Sequence, residues 1–403
     1  MAATTKYLLV GGGVASVAAA KAIREMDFDG RVLLVTADPL MPYDRPPLSK
    51  GFLGNPEVTH DDVSSKFDHW YPDNKIELIL GTRVTAIDRH SSTATLENGE
   101  SIKYGALLLA TGSRARTLPL KDSAVPVFTL RSFADATSIR EAMAKAKSAV
   151  VVGTGFLGPE VAAQCVGKGI KTTLIGKAAN IWDRFAGPEL GEFLNGYYRA
   201  KGVNLLLNDA LASIEPGQVT TASGAIAPAD FIVLAIGAEP NVNLARESGL
   251  TISHDGGVLA DLYLKTEDDD IYVAGDIAHF PDEAMGRPIR HEHHLNAQWQ
   301  GAAAGANMAG AAKPYERVSY FFSDFLDLHM IQRGSIPASA KTKLLGDMAS
   351  AEFIELYAEE DGVLKMGISI SREEKKLDPI SDKLEKLIET RTMLTAISLG
   401  DFE

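Results

Sequence analysis

Two glycine-rich turns, each where an apolar strand runs into a helix, are the features of this 403-residue chain that most directly specify chemistry. The first reads Val10-Gly11-Gly12-Gly13-Val14-Ala15-Ser16, after Lys6-Tyr7-Leu8-Leu9. The second reads Val152-Gly153-Thr154-Gly155-Phe156-Leu157-Gly158, after Ser148-Ala149-Val150-Val151. In each, the first glycine permits a tight turn and the second lets the backbone approach a pyrophosphate. The helix that follows offers N–H groups with no intrahelical partner. One such pattern alone is a weak signal, with a structural glycine turn as the lesser alternative; two, each after a strand, point to two dinucleotide sites. Gly11, Gly13, Val14 and Ala15 are the candidate contacts of the first, and Gly153, Gly155, Phe156 and Leu157 those of the second.

Other chemistries are narrowed by what the chain holds. A single cysteine, Cys165, rules out an intramolecular disulfide and any internal pair of redox thiols, and suits a reducing compartment. It lies among Val161, Ala162, Ala163 and Val166, a core-like setting. The run His291-Glu292-His293-His294 invites a metal reading, but it lacks the His-Glu-x-x-His spacing, and consecutive residues rarely converge on one ion. No metal is expected. A net charge of −13 disfavours broad binding to nucleic acid. No apolar run approaches the roughly 20 residues of a membrane span. The N-terminus enters the first strand at once, without room for a cleavable signal peptide. The expectation is a soluble, cytoplasmic protein.

The elements that must position these turns follow from the apolar pattern. After the first turn, Val17, Ala20 and Ile23 mark a helix ending near Asp29-Gly30. A strand over 31–36 then leads to Asp38, placed to bind ribose hydroxyls, though a solvated turn aspartate would read the same. Segment 76–111 reads as antiparallel, with strands at 76–80 and 93–96, a turn at Asn98-Gly99, and an apolar run ending in Ala110-Thr111-Gly112. The stretch 145–240 repeats the plan of 1–115 and ends in Ala235-Ile236-Gly237. A further strand, 271–274, stops at Gly275-Asp276. Strands at 353–357 and 364–370 and a helix over 382–391 close the chain. The expected fold is α/β: two Rossmann-like dinucleotide-binding domains, 1–117 with 243–318 and 118–242, plus a small α+β C-terminal domain, 319–403.

The order of these motifs resembles the two-dinucleotide flavoprotein superfamily of glutathione reductase. Pro42-Tyr43-Asp44-Arg45-Pro46-Pro47-Leu48-Ser49-Lys50 is similar to the branch that holds ferredoxin and rubredoxin reductases, apoptosis-inducing factor and monodehydroascorbate reductase. Arg290-His291-Glu292-His293-His294, Asn307-Met308-Ala309-Gly310 and Tyr320-Phe321-Phe322-Ser323-Asp324 agree with it. The resemblance implies FAD held by the first glycines and Asp38, with Val84 among its contacts, Arg45 and Lys50 along the pyrophosphate and isoalloxazine, and Arg116 as a further flavin contact. Asp276, after Gly275, meets the ribityl chain. Glu160 reaches the nicotinamide and pairs with Lys50; these two are the catalytic candidates. Gly237, Glu292, His293, His294 and Phe322 border the flavin or nicotinamide.

Departures are visible. Ser16 stands at the third glycine of the first fingerprint, and His294 and Phe322 replace tryptophans of the ferredoxin reductase pattern. The disulfide reductases of the superfamily need two cysteines beside the flavin and the related peroxidases and coenzyme A disulfide reductases need one, and Pro46-Pro47 stands in the segment that would carry the single-cysteine nucleophile. The implied activity is therefore transfer from NAD(P)H through FAD to an external acceptor, either a ferredoxin or rubredoxin or a small radical or quinone, by a monomer or homodimer. The alternative is a redox-responsive interaction protein like apoptosis-inducing factor, with slow turnover. The strand 171–175 ends in Gly176-Lys177 with no acid until Asp183. Lys177 and Arg184 are thus candidates to pair with a 2′-phosphate, so that NADPH is accepted at least as well as NADH.

Overall fold

The computed structural model describes residues 3–66, 68–120, 123–337 and 340–402. They form two compact units: Met1–Asp44 with His60–Arg114 and Glu239–Ser319, and Arg45–Thr59 with Ala115–Ala238 and Tyr320–Glu403.

The first unit is built on five parallel strands in the order Ile76–Ile79, Val32–Val35, Ala3–Val10, Ser101–Leu109 and Ile271–Val273. Every residue of Val32–Val35 is buried, as a parallel sheet covered on both faces requires. Alternate side chains feed opposite layers. Leu8, Val10, Leu33, Val35, Leu107 and Leu109 share one core, while Tyr7, Leu9, Val32, Leu34 and Leu108 face another with Ala19, Ala20 and Ile23 of the helix Val14–Met26. That helix ends at Met26, a few residues before the Asp29-Gly30 boundary expected from the sequence.

The antiparallel reading of 76–80 is corrected. Ile76–Ile79 pairs parallel with Val32–Val35, and only Val84–Asp88 and Thr93–Leu96 form an antiparallel extension, on the N-terminal half of Ser101–Leu109. The run is short and apolar, and such a run carries no mark of strand direction. Two glycines of the helix His294–Met308 bring it against the first helix. A Cβ on Gly301 would stand 2.0 Å from the Ala15 carbonyl oxygen, and one on Gly305 would stand 2.4 Å from that of Ala19.

In the second unit the plan recurs with five parallel strands: Asn204–Leu207, Lys171–Gly176, Ser148–Val152, Phe231–Leu234 and Val127–Thr129. The helix Leu157–Gly167 follows the glycine turn, and the helix Phe133–Met143 begins in a capping box of Ser132 and Asp135. The C-terminal part is an antiparallel sheet in the order Tyr320–Phe325, Leu328–Gly334, Leu364–Ser371, Glu352–Ala358 and Lys341–Asp347. Its helix, Leu377–Glu389, starts earlier than the 382–391 expected; Leu377, Ser381, Leu384 and Ile388 form its buried stripe. Among the described residues, no helix is long and apolar enough to cross a membrane.

Candidate functional site

In open α/β sheets, ligands bind outside the carboxyl ends of the parallel strands, where both glycine turns lie. Gly11 adopts φ +127° and Gly153 φ +122°, conformations that favour glycine. A Cβ would stand 2.1 Å from the Ala110 carbonyl oxygen at Gly11, and 2.1 Å from that of Ala235 at Gly153. Each strand-end motif, Ala110-Thr111-Gly112 and Ala235-Ile236-Gly237, therefore closes against its own glycine turn. Gly13 caps the first helix with extended backbone, which leaves the amides of Val14 and Ala15 at its open N-terminus.

Around the first turn, Asp38 is only partly buried and is held in place by its neighbours. The Tyr43 hydroxyl donates to its Oδ2 at 2.8 Å, and the Leu40 amide donates to its Oδ1 at 3.1 Å. A carboxylate has about four lone-pair sites, so capacity remains for ribose hydroxyls. Val84 points its side chain into the core. Gly275 takes φ +77° and donates its amide to the Gln300 side chain at 2.8 Å. The next residue, Asp276, is buried and accepts the Ser113 hydroxyl at 2.6 Å. Arg290 donates to the Asp276 carbonyl at 2.8 Å and to Glu292 at 2.6 Å, tying that turn to the residues before the helix His294–Met308.

His293 caps that helix, with its ring stacked on His291 at 5.8 Å. Surface still reaches part of His293, but protein crowds the ring closely. Burial first, then the neighbouring His291, pull its pKa down to about 3, against a smaller upward pull from Asp276. His291 itself pairs with Asp282, 3.2 Å away and equally buried. Among the described residues, no group of His, Cys, Asp and Glu is arranged to hold a metal.

The second unit contains the polar centre that brings Lys50 and Glu160 together. Lys50 Nζ lies 2.9 Å from Glu160 Oε1, and the side chains are 14% and 6% exposed. Two further donors complete the arrangement: Ser49 Oγ at 2.5 Å from Oε2 and Ser323 Oγ at 2.6 Å from Oε1. Neither serine was expected from the sequence. A serine beside a lysine or within a strand carries no distinctive spacing; only the folded carboxylate reveals it. Three side chains from two segments thus donate to one buried carboxylate, which satisfies it far better than a lone ion pair would. Lys50 Nζ also sits 5.6 Å from the centroid of the Phe322 ring.

Beside this centre, the Phe156 ring packs at a tilt against Phe185 at 4.4 Å and Phe321 at 4.1 Å. Trp182, fully buried, packs on Phe156 and edge-on against Phe325, each at 5.1 Å. Its backbone is left-handed, φ +61°, an unusual state for so bulky a residue, and its amide donates to the Thr154 carbonyl at 2.8 Å. Arg116 and Gly237 meet through the Arg116 amide and the Gly237 carbonyl, 2.9 Å apart, and Arg45 Nε donates to the Arg131 carbonyl at 3.2 Å. Lys177 and Arg184 are exposed on the loop after the strand Lys171–Gly176, where no other described side chain engages them. Cys165 is fully buried, and burial pushes its thiol pKa up to about 12.

Two parallel sheets, each closing a glycine turn at its carboxyl edge, define a dinucleotide-dependent oxidoreductase. The chain belongs to the pyridine nucleotide-disulphide oxidoreductase family, whose model matches residues 5–303. It is 33% identical over 371 residues to the 3-phenylpropionate/cinnamic acid dioxygenase ferredoxin–NAD(+) reductase component of Photorhabdus laumondii, covering 91% of this chain and 93% of that one. It is 36% identical over 312 residues to the peroxisomal monodehydroascorbate reductase 4 of Arabidopsis thaliana, covering 71% of this chain and 63% of that one. The fold matches the covalent putidaredoxin reductase–putidaredoxin complex with a TM-score of 0.90 at 28% identity, covering 96% and 94%. Family members bind FAD and use NAD(P)H, and this chain is a flavin-dependent oxidoreductase. The glycine cradles at Gly11 and Gly153, neither of which has room for a Cβ, fit two such dinucleotides.

Proposed function

We propose that the chain takes hydride from NAD(P)H and delivers electrons to a ferredoxin-like carrier protein. One observation carries the second half of this reading. The only thiol is Cys165, buried and held protonated, while Pro46-Pro47 occupies the segment that would carry a single-cysteine nucleophile. Electrons therefore leave for an external acceptor rather than through a disulfide. The relatives named for ferredoxin reduction and the putidaredoxin complex support a small iron–sulfur protein as that acceptor.

FAD, when bound, supplies a centre that accepts a hydride and gives up electrons one at a time. Gly11, Gly13, Val14, Ala15, Asp38, Asp276 and Gly275, with Val84, Arg45 and Arg116, are assigned to it. Gly153, Gly155, Phe156, Leu157 and Gly237 are assigned to the nicotinamide coenzyme, with Lys177 and Arg184 toward a 2′-phosphate. Glu292, His293, His294 and Phe322 border the reacting rings. Glu160, fixed by Ser49, Lys50 and Ser323, orients the nicotinamide, and Lys50 keeps a positive charge beside the flavin. The three-domain division at 117/118, 242/243 and 318/319, a cytoplasmic location, and a monomer or homodimer complete the reading.

The test is anaerobic stopped-flow reduction by NADH and NADPH, followed by a panel of acceptors: a [2Fe–2S] ferredoxin, a rubredoxin, monodehydroascorbate and a quinone. Turnover of at least about 1 s⁻¹ with a ferredoxin is expected, in the ordinary enzyme range. Failure with every acceptor, together with a change of oligomeric state on reduction, would replace this reading with that of a redox-responsive interaction protein.

A further inference from the structure

We propose that Thr154 and Gly176 act as a matched pair that fixes which coenzyme the second glycine turn accepts. This rests on the assignment of that turn to NAD(P)H. The middle residue of each fingerprint meets the end of the neighbouring strand, and the two units solve this contact in opposite ways. In the first, Gly12 faces Thr36. A Cβ on Gly12 would stand 2.5 Å from Thr36 Oγ1 and 2.9 Å from Thr36 Cβ. In the second the partners are exchanged: Thr154 lies in the turn and glycine ends the strand. A Cβ on Gly176 would stand 2.3 Å from Thr154 Cγ2 and 3.0 Å from Oγ1. Turning the threonine removes the methyl contact but leaves its Cβ at 3.2 Å. A second side chain across this gap therefore requires the threonine to turn and its Cβ to give by a few tenths of an ångström.

The consequence concerns recognition. An acid at the end of this strand is the usual device for holding both ribose hydroxyls of NAD and for repelling a 2′-phosphate. Thr154 crowds the space where such a residue would begin, so an acid at 176 requires the threonine to shift. The absence of an acid here is thus set by the turn as well as by the strand. Lys177, one residue on and exposed, is then the first side chain after the strand end available to a phosphate. Thr154 acts through packing and is a specificity-determining residue, separate from any contact that it makes itself.

The experiment compares the FAD-loaded wild type with Thr154→Gly, Gly176→Glu and Thr154→Gly/Gly176→Glu. Each is measured by thermal midpoint, by equilibrium titration with NAD⁺ and NADP⁺, and by kcat/KM for NADH and NADPH. Gly176→Glu alone is expected to lower the midpoint and weaken both coenzymes. The double variant is expected to regain most of the midpoint and to shift the NADH-to-NADPH ratio by about tenfold or more. If Gly176→Glu does not fold, Gly176→Ala, alone and with Thr154→Gly, measures the same steric coupling through the midpoint. The proposal is overturned if the single variant is as stable as wild type and shifts preference as far as the double, or if a well-folded double keeps the wild-type ratio. A wild type strictly specific for NADH would refute the phosphate role of Lys177 and Arg184. The non-additivity at 154 and 176 is a separate result that would survive it.

Discussion

The two glycine turns share their first residue and differ at the third. Gly11 and Gly153 face the same restraint, a carbonyl oxygen 2.1 Å from where a Cβ would be. At the third position the second unit needs glycine, because a Cβ on Gly158 would stand 1.9 Å from the Gly153 carbonyl oxygen. The first unit has Ser16 there, fully buried, with no partner for its hydroxyl among the described residues. Its close approach is made elsewhere, by Gly301 and Gly305 against the backbone of the first helix. One helix packs tightly on its own turn and the other on a neighbouring helix. The fingerprint thus specifies a ligand geometry, while the small residues that permit it are distributed differently in each unit.

The sharpest contrast lies in the buried carboxylates. Asp276 accepts the Ser113 hydroxyl, while Glu160 gathers Ser49, Lys50 and Ser323. Glu160→Ala leaves Lys50 buried and uncompensated, and a loss of about 3–5 kcal/mol of stability is expected. Hydride transfer from NAD(P)H should slow more than FAD retention weakens. An unchanged reductive half-reaction in stopped flow would reduce Glu160 to a purely structural residue. Ser323→Ala should cost about 1–3 kcal/mol, because the remaining donors share the load.

Next in size are the equivalent glycines. Gly11→Ala and Gly153→Ala should each cost about 3 kcal/mol, since positive φ and a carbonyl contact act together. They should differ in what is lost: flavin content for the first, coenzyme titration with flavin retained for the second. The same loss from both would erase the distinction between the two sites.

Much of this was legible in the residues. The glycine turns, the strand ends at Ala110-Thr111-Gly112 and Ala235-Ile236-Gly237, and the repeated plan of the two sheets all carry fixed local requirements of backbone conformation. The direction of Ile76–Ile79 was not legible, because a four-residue apolar run satisfies either pairing. Ser49 and Ser323 escaped for a different reason. Their importance comes from a carboxylate brought from a distant segment, and nothing in their own neighbourhoods announces it. The left-handed backbone at Trp182 was hidden too, since its sequence neighbours carry no glycine or asparagine cue at that position.

At the third fingerprint position, Ser16→Ala should raise stability by about 1 kcal/mol by removing a buried hydroxyl without a partner. Gly158→Ser should instead destabilise by about 1–3 kcal/mol through overpacking. Chemical denaturation of both variants decides whether the two helices really differ in where they are tight. Opposite signs are expected, and a loss at both positions would show that Ser16 has a partner the packing does not reveal.

A further effect is one of pH. His293 titrates near 6.5 when unfolded and near 3 when folded, so the unfolded chain binds more protons between those values. Stability from this residue is complete above about 6.5 and is lost as pH falls toward 3. His293→Gln should flatten the acid limb of the unfolding midpoint against pH in the first unit, and an unaltered limb would assign the acid sensitivity to other groups.

Trp182 carries a practical consequence. The chain has three tryptophans, and Trp182 is the one in the unit that contains the second glycine turn. Its ring is sealed from water and rests on Phe156, one of the residues assigned to the nicotinamide. Indole emission overlaps the absorption of a reduced nicotinamide. With a reduced nicotinamide coenzyme in this turn, as proposed, energy passed from Trp182 would dim one band and light another, an optical gauge of occupancy without any label attached.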